Sequence, residues 1–409
     1  MAFAFPSVRL GRAAETPLRH VVLLMRENRS FDHYFGGFPG ADGIPAGAPV
    51  RPADGYCLGD PPHTETAFRA MGAGQPASPA SMVFYREAQL PLGWALARRF
   101  TLCDRYFSSV LGPTFANRLF GVAASAGDFH ENPRKIDASL LPRPSIVDRL
   151  DAAHLDWACY ELRPYSGYNP VTFYPERRSD PRANRTWDDF LADAAAGRLP
   201  AVSWVVPEDP LTEHPPTPPQ WGQRLAALTV SAVAQGPRWS QSAVVLNYDE
   251  SGGFYDHVAP PGVDASSFGY RVPCTVASPF ARPGHVSHAV YDHASVLALI
   301  EHTFGLAPLT SRDAAANPME DCFDFSHPSH EPISFPPHQP RPGCGELPPW
   351  AADVLGRSLP QAALVVPGGP DRSPPPELVG GLGGLAALGA VAGGAAIAIR
   401  RRREGRGRS

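Results

Sequence analysis

The chain has 409 residues, 43% of them hydrophobic and 19% charged, which gives enough apolar surface for a large core and excludes a disordered polymer. Its net charge of −4 conceals an asymmetry: the last ten residues, RRRREGRGRS, hold six Arg and one Glu, so the preceding chain carries 30 basic and 39 acidic residues, a net of −9. An acidic body lacks the clustered cations that neutralise a phosphate backbone, which excludes nucleic acid as a partner.

In chain order, Met1–His20 shows no charged stretch followed by an apolar core of the length a secretory signal needs. HVVLLM (His20–Met25) is wholly apolar and stops at once in Arg26, Glu27, Asn28 and Arg29. LGPTFANRLFGVAASAG (Leu111–Gly127) opens on Gly-Pro, then Thr114, then a small-residue helical pattern. SIVDRLDAAHLDWACYE (Ser145–Glu161) predicts a helix followed by a strand. AVSWVVP (Ala201–Pro207) and SAVVLNYDE (Ser242–Glu250) predict strands buried on both faces, as in a parallel sheet covered by helices. YDHASVLALIEHTFG (Tyr291–Gly305) has apolar residues at 296, 297, 299, 300 and 304 and a terminating Gly, which predicts an amphipathic helix. Strand–helix alternation over this length implies an open α/β sheet, with the globular domain spanning residues 15–345.

The tail reads differently. Residues 346–377 are rich in Pro and Gly and are expected to form a semi-rigid linker. Leu378–Ile399 is a run of 22 residues without a charge, followed by Arg400–Arg403, and is expected to be a transmembrane helix with residues 400–409 as its basic inner tail. Glycines at 380 and 384, and at 389 and 393, give the small-xxx-small spacing of paired spans. The expected location is the cell membrane, single-pass, with the body extracytoplasmic. That orientation conflicts with the missing export signal: either the chain starts upstream of Met1 or it is tail-anchored with its body inside, and we expect the former. The six cysteines form no CxxC pair, so a zinc ribbon is disfavoured. Buried free thiols are one expectation for them; if a disulfide forms, Cys322–Cys344 is the pair expected.

Ligands in open α/β sheets bind beyond the carboxyl ends of strands. Three apolar runs end there in polar residues: Glu27 and Asn28 after the first, Glu208, Asp209 and then His214 after the second, Asp249 and Glu250 after the third. A single such end is ordinarily a surface loop, but three together favour a shared site. Glu27, Asn28, Asp249 and Glu250 are hard oxygen ligands suited to a divalent cation, which would cancel the repulsion among three carboxylates. A carboxylate pair acting as general acid and base without metal is the alternative. The Thr114 hydroxyl falls near a helix N-terminus, where the helix dipole favours an anion, although Thr is also an ordinary helix cap.

ENRSFDHYFG (Glu27–Gly36), GPTFANRLF (Gly112–Phe120), NYDESGGFYDHVAPP (Asn247–Pro261) and the block Phe268–Glu301 together resemble the phosphoesterase family. That family comprises bacterial and plant non-specific phospholipases C and related acid phosphatases, within the alkaline-phosphatase-like superfamily. The resemblance implies an α/β/α sandwich with a mostly parallel central sheet and a covalent phosphoryl-transfer mechanism using one divalent metal ion. Thr114 would be the nucleophile, Glu27, Asn28, Asp249 and Glu250 the metal ligands, and Asn117 and Arg118 substrate-binding. His214, His63 and His288 would be the catalytic histidines, with Asp292 and His293 in the same block as His288. One departure stands out, Ala116 where the family pattern has Pro. The implied activity is phospholipase C-type cleavage of glycerophospholipids such as phosphatidylcholine. The alternatives are a membrane-anchored acid phosphatase of broad monoester specificity, or a non-catalytic lipid- or metal-binding envelope protein. The sequence leaves head-group preference and oligomeric state open.

Overall fold

The computed structural model describes residues 16–72, 76–164, 166–262, 268–336 and 344–358. Among the described residues ten strands form: β1 (His20–Arg26), β2 (Arg51–Pro52), β3 (Val83–Phe84), β4 (Thr101–Cys103), β5 (Trp157–Glu161), β6 (Arg185–Thr186), β7 (Val202–Val206), β8 (Ser242–Tyr248), β9 (Cys274–Ala277) and β10 (Val286–Ser287). β2 and β3 pair with each other, and the other eight make one sheet in the order β10-β4-β9-β8-β1-β7-β5-β6. β9 runs antiparallel to both its neighbours, and every other pairing is parallel.

The continuous apolar runs exist because both faces of the sheet are covered. Along β1, Val21 and Leu23 enter one core layer while Val22 and Leu24 enter the other. β8 divides in the same way, with Ala243 and Val245 on one side and Val244 and Leu246 on the other. The first layer is closed by the helices Thr114–Ala123, through Phe115, Leu119 and Val122, and His293–Phe304, through Leu297 and Ile300. The second is closed by Trp187–Ala196 and Pro219–Gln235. The His293–Phe304 helix starts where Asp292 Oδ1 accepts from the Ser295 N–H at 3.2 Å and ends at Gly305 with φ +67°. This is the expected α/β/α layering.

Register places the site. β1 pairs β8 through Arg26 opposite Tyr248, so the chain leaves both strands side by side, with Glu27–Asn28 next to Asp249–Glu250. β7 flanks β1 on its other edge and carries the 207–214 loop to the same end of the sheet.

Two expectations about the tail are corrected. Pro349–Leu355, assigned to the linker, is a short helix whose Ala351, Val354 and Leu355 join the core layer of the Pro219–Gln235 helix. The disulfide is Cys57–Cys344, with Cα atoms 5.8 Å apart, and not Cys322–Cys344. Cys322 is buried instead, its sulfur 3.6 Å from that of Cys103. The pairing expected within the loop-rich tail gives way to one across the fold. Among the described residues no helix is long and apolar enough to cross a membrane, and Leu378–Ile399 lies outside them.

Candidate active site

At the carboxyl end of the sheet a cleft of ≈ 280 Å³ is lined by Glu27, His63, Thr114, Phe115, Tyr168 and His214, among others. Thr114 is the first residue of its helix, and the residue in the capping position is Pro113. The hydroxyl therefore caps nothing and faces the cleft at the positive end of the helix. Glu27 comes from the end of β1, His214 from the loop after β7, and His63 from the loop before the Glu65–Gly72 helix.

Below Glu27 lies a fully buried set of oxygens. Asp249 Oδ1 accepts from the backbone N–H of Glu250 at 2.7 Å and of Asn28 at 3.2 Å. Glu250 Oε2 accepts from the Gly252 N–H at 2.6 Å. Asn28 Oδ1, Asp249 Oδ2 and Glu250 Oε1 are buried and accept no hydrogen bond. Asn28 itself has φ +61°, a left-handed backbone that Asn tolerates better than most residues. Gly252, at φ +65°, lets the 250–254 turn pass against it, since a Cβ there would sit 2.4 Å from the Asn28 carbonyl oxygen. Burial first, then the charge of Asp249, holds the Glu27 and Glu250 carboxyls well above the usual range.

Buried acceptors without donors are rare in folded proteins, and oxygens of this kind are of the type that binds a divalent cation. Arg118 meets part of the charge: its Nη2 is 3.2 Å from Glu27 Oε1 and its Nε 3.3 Å from Asp249 Oδ2. Among the described residues two groups of three present ligand atoms within 4.8 Å of one another, Asp60, His63 and His214 at the cleft surface and Asp32, Asp256 and His257 away from it; the carboxylates of Glu27, Asp249 and Glu250 do not form such a group.

The histidine tautomers follow from their partners. His63 Nδ1 is 2.8 Å from the Pro61 carbonyl and His214 Nδ1 is 2.6 Å from the Pro215 carbonyl. A carbonyl only accepts, so in each neutral ring Nδ1 carries the proton and Nε2 offers a lone pair. His63 Nε2 then accepts from Asn28 Nδ2 at 3.2 Å, which leaves Asn28 Oδ1 as the outward acceptor. His214 Nε2 has no hydrogen-bond partner among the described residues.

Three expected roles are corrected. Asn117 is fully buried; its Nδ2 donates to the carbonyls of Val110 and Gly112, and its Oδ1 accepts from the Val110 N–H. It shapes the turn that presents Thr114 and has no polar atom left for substrate. Arg118 is buried too, with Nη1 donating to the Tyr168 carbonyl at 3.0 Å, so it balances the carboxylates from below. His288 stands at the sheet's far edge beside β10, largely exposed and 2.8 Å from Asp104 Oδ2. It is His293 that reaches this region, its Nε2 2.8 Å from the Asp249 carbonyl, and burial lowers its pKa to about 4. Asp60 and Tyr168 escaped the sequence reading; the Asp-x-x-His spacing of Asp60 and His63 was the available signal, and for Tyr168 there was none.

An open, mostly parallel sheet with a threonine hydroxyl, two histidines and buried acid oxygens at its carboxyl edge defines a hydrolase acting on phosphoester bonds. The model of the phosphoesterase family matches residues 18–307, and the chain belongs to that family. Phospholipase C A of Mycobacterium tuberculosis is 29% identical in an alignment covering 89% of this chain and 88% of that protein. Phospholipase C B of the same organism is 30% identical, over 85% and 84%. Non-specific phospholipase C6 of Arabidopsis thaliana is 28% identical, over 75% and 72%. A solved protein of the alkaline phosphatase superfamily from Vibrio parahaemolyticus aligns with TM-score 0.40 and 10% identity over 75% of this chain and 71% of that one, a likeness too slight to bear on the site.

Proposed function

We propose that the protein is a phospholipase C-type phosphodiesterase that hydrolyses glycerophospholipids to diacylglycerol and a phosphorylated head group. The observation that carries this reading is the cleft that joins the Thr114 hydroxyl to Glu27, His63 and His214. The relatives named phospholipase C support the substrate class.

The Thr114 hydroxyl loses its proton to solvent, and its oxygen attacks phosphorus as the bond to the glycerol oxygen breaks, leaving the head-group phosphate esterified to Thr114. Its place on the helix's first turn favours the negative phosphoryl oxygens. The diacylglycerol oxygen takes a proton from the His214 imidazolium at Nε2, the ring nitrogen with no protein partner. Neutral His214 then takes a proton from water as the resulting hydroxide attacks phosphorus and the bond to the Thr114 oxygen breaks, which releases the phosphorylated head group and restores both the threonine oxygen and the imidazolium. Glu27, Asn28, Asp249 and Glu250 would hold one divalent ion, which supplies charge neutralisation for the phosphoryl group and for the ionised hydroxyl. The proposal also keeps Leu378–Ile399 as a membrane span holding the body outside the cell, which trypsin added to intact cells would test by removing the body.

The test of activity is the full chain in detergent, supplied with divalent metal, on phosphatidylcholine and on p-nitrophenyl phosphate. Diacylglycerol release that falls about 10⁴-fold or more in Thr114→Ala is the expected outcome. Turnover of the monoester alone would replace this reading with a phosphatase.

A further inference from the structure

The residue before His214 is a buried carboxylate that the reaction does not use. Glu213 is fully buried and has φ +75°, a left-handed conformation that glutamate rarely adopts. Its Oε1 accepts from Arg26 Nη1 at 2.5 Å, and its Oε2 accepts from the hydroxyls of Tyr34 at 2.6 Å and Tyr248 at 2.8 Å. Its backbone carbonyl accepts from Arg29 Nη2 at 2.5 Å. One residue earlier, the Thr212 carbonyl accepts from the Glu27 N–H at 2.9 Å. The His214 N–H donates to Thr212 Oγ1 at 3.2 Å. Residues 26, 27 and 29 thus grip the 212–214 loop from both sides of the Glu27–Asn28 pair.

Packing is equally specific. The Glu213 side chain lies on Gly222 of the Pro219–Gln235 helix, where a Cβ would sit 2.2 Å from Glu213 Cγ and 2.6 Å from Oε1. A non-glycine residue keeps a left-handed backbone only where its surroundings over-determine it. Here both ends of the residue are locked, and neither carboxylate oxygen faces the cleft.

We propose that Glu213 is a positioning residue: its carboxylate, clamped by Arg26, Tyr34 and Tyr248 in the socket left by Gly222, sets where the His214 imidazole stands over the cleft. This rests on the phosphodiesterase reading for the role of His214. Proton delivery to a leaving oxygen needs the donor within hydrogen-bond reach, and a misplacement near 1 Å lowers turnover by about 100-fold. Glu213 has no contact with substrate in this scheme and acts only through its neighbour.

The test compares Glu213→Gln, Gly222→Ala and Tyr248→Phe in the metal-supplied full chain, reading kcat, KM and the His214 Cε1–H signal by NMR, assigned by its loss in His214→Gln. Each variant is expected to shift that signal. Glu213→Gln and Gly222→Ala should lower kcat about 10- to 100-fold with KM held within about threefold, and Tyr248→Phe should do so less. Glu213→Asp, one methylene shorter, should restore part of the lost kcat in the Gly222→Ala background. Folded variants that keep the wild-type signal and kcat overturn the proposal. Tyr248→Phe removes a single oxygen and carries the comparison if Gly222→Ala fails to fold. If the wild type releases no diacylglycerol, the functional reading fails by itself, and the His214 signal alone decides the positioning.

Discussion

Two charged clusters in this protein are built from the same stretches of chain and the same residue types. The segment after β1 gives Glu27 to the cleft, Asn28 to the buried cluster below it and Asp32 to a second cluster. The segment after β8 gives Asp249 and Glu250 to the buried cluster below the cleft and Asp256 and His257 to the second. Each cluster also has a buried arginine, Arg118 in one and Arg271 in the other. The difference lies in the accounting of donors. Around Arg271 every carboxylate oxygen of Asp32 and Asp256 has one: Arg271 Nη2 and Nε at 2.9 and 2.8 Å, the His257 ring at 2.7 Å, and the backbone N–H groups of Asp32, His257 and Val258. In the cluster below the cleft three buried acceptors take no hydrogen bond, Asp249 Oδ2 having only its ion pair with Arg118 Nε at 3.3 Å. Even in the filled cluster burial leaves Asp256 up at about 7, with the Arg271 charge pulling the other way. Completed hydrogen bonding favours a scaffold role for the second cluster, although Asp32, Asp256 and His257 bring ligand atoms within 4.8 Å of one another, and the unfilled acceptors set the first apart.

The contrast breaks most sharply at the arginines. Arg271→Leu leaves two buried carboxylates without their cation and is expected to destabilise the fold by about 3–5 kcal/mol. Urea unfolding measures it, and Arg118→Leu with metal present should lose much less, because a bound cation meets the same charges. Next in size, a divalent metal at 100 times its Kd should stabilise the wild type by about 2.7 kcal/mol. Calorimetry should find that gain gone in Glu250→Gln and intact in His257→Gln.

A smaller effect concerns pH. In the metal-free fold, burial and the Asp249 charge raise the pKa values of Glu27 and Glu250 well above their ordinary 4.5. The unfolded chain ionises there first, so stability present at low pH is lost as pH rises from 4.5 toward the raised folded values. The expected slope approaches about 1.4 kcal/mol per pH unit for each carboxyl, and added metal should flatten it. Thermal unfolding between pH 5 and 8 checks both. Least of all, His288→Ala should leave lipid turnover within about twofold and stability within about 0.5 kcal/mol, since its ring is a partly exposed partner of Asp104.

Legibility in the sequence followed the same divide. The strands at 20–26, 202–206 and 242–248 are readable because being buried on both faces leaves an uninterrupted apolar run, and their polar ends mark where ligands emerge. β4 and β9, of three and four residues, carry too little pattern to see, and no local feature tells that β9 runs backwards. Residue type located Asn117 and Arg118 beside Thr114 but not their direction, which depends on which carbonyls and carboxylates the fold brings near. His288 and His293 stand five residues apart in one block, yet one falls on an exposed bend and the other on the first turn of a buried helix. Glu213 gave no signal at all, because its partners come from β1, β8 and the Phe31–Phe35 helix.

The bridge between Cys57 and Cys344 closes a ring of covalent bonds across a sequence separation of 287 residues. A pull applied to the chain beyond residue 344 divides at that sulfur pair. Part of the tension runs back along the polypeptide, and part crosses directly to Cys57, six residues ahead of His63. Mechanical load entering from the carboxyl side therefore reaches the rim of the cleft without first travelling through the sheet.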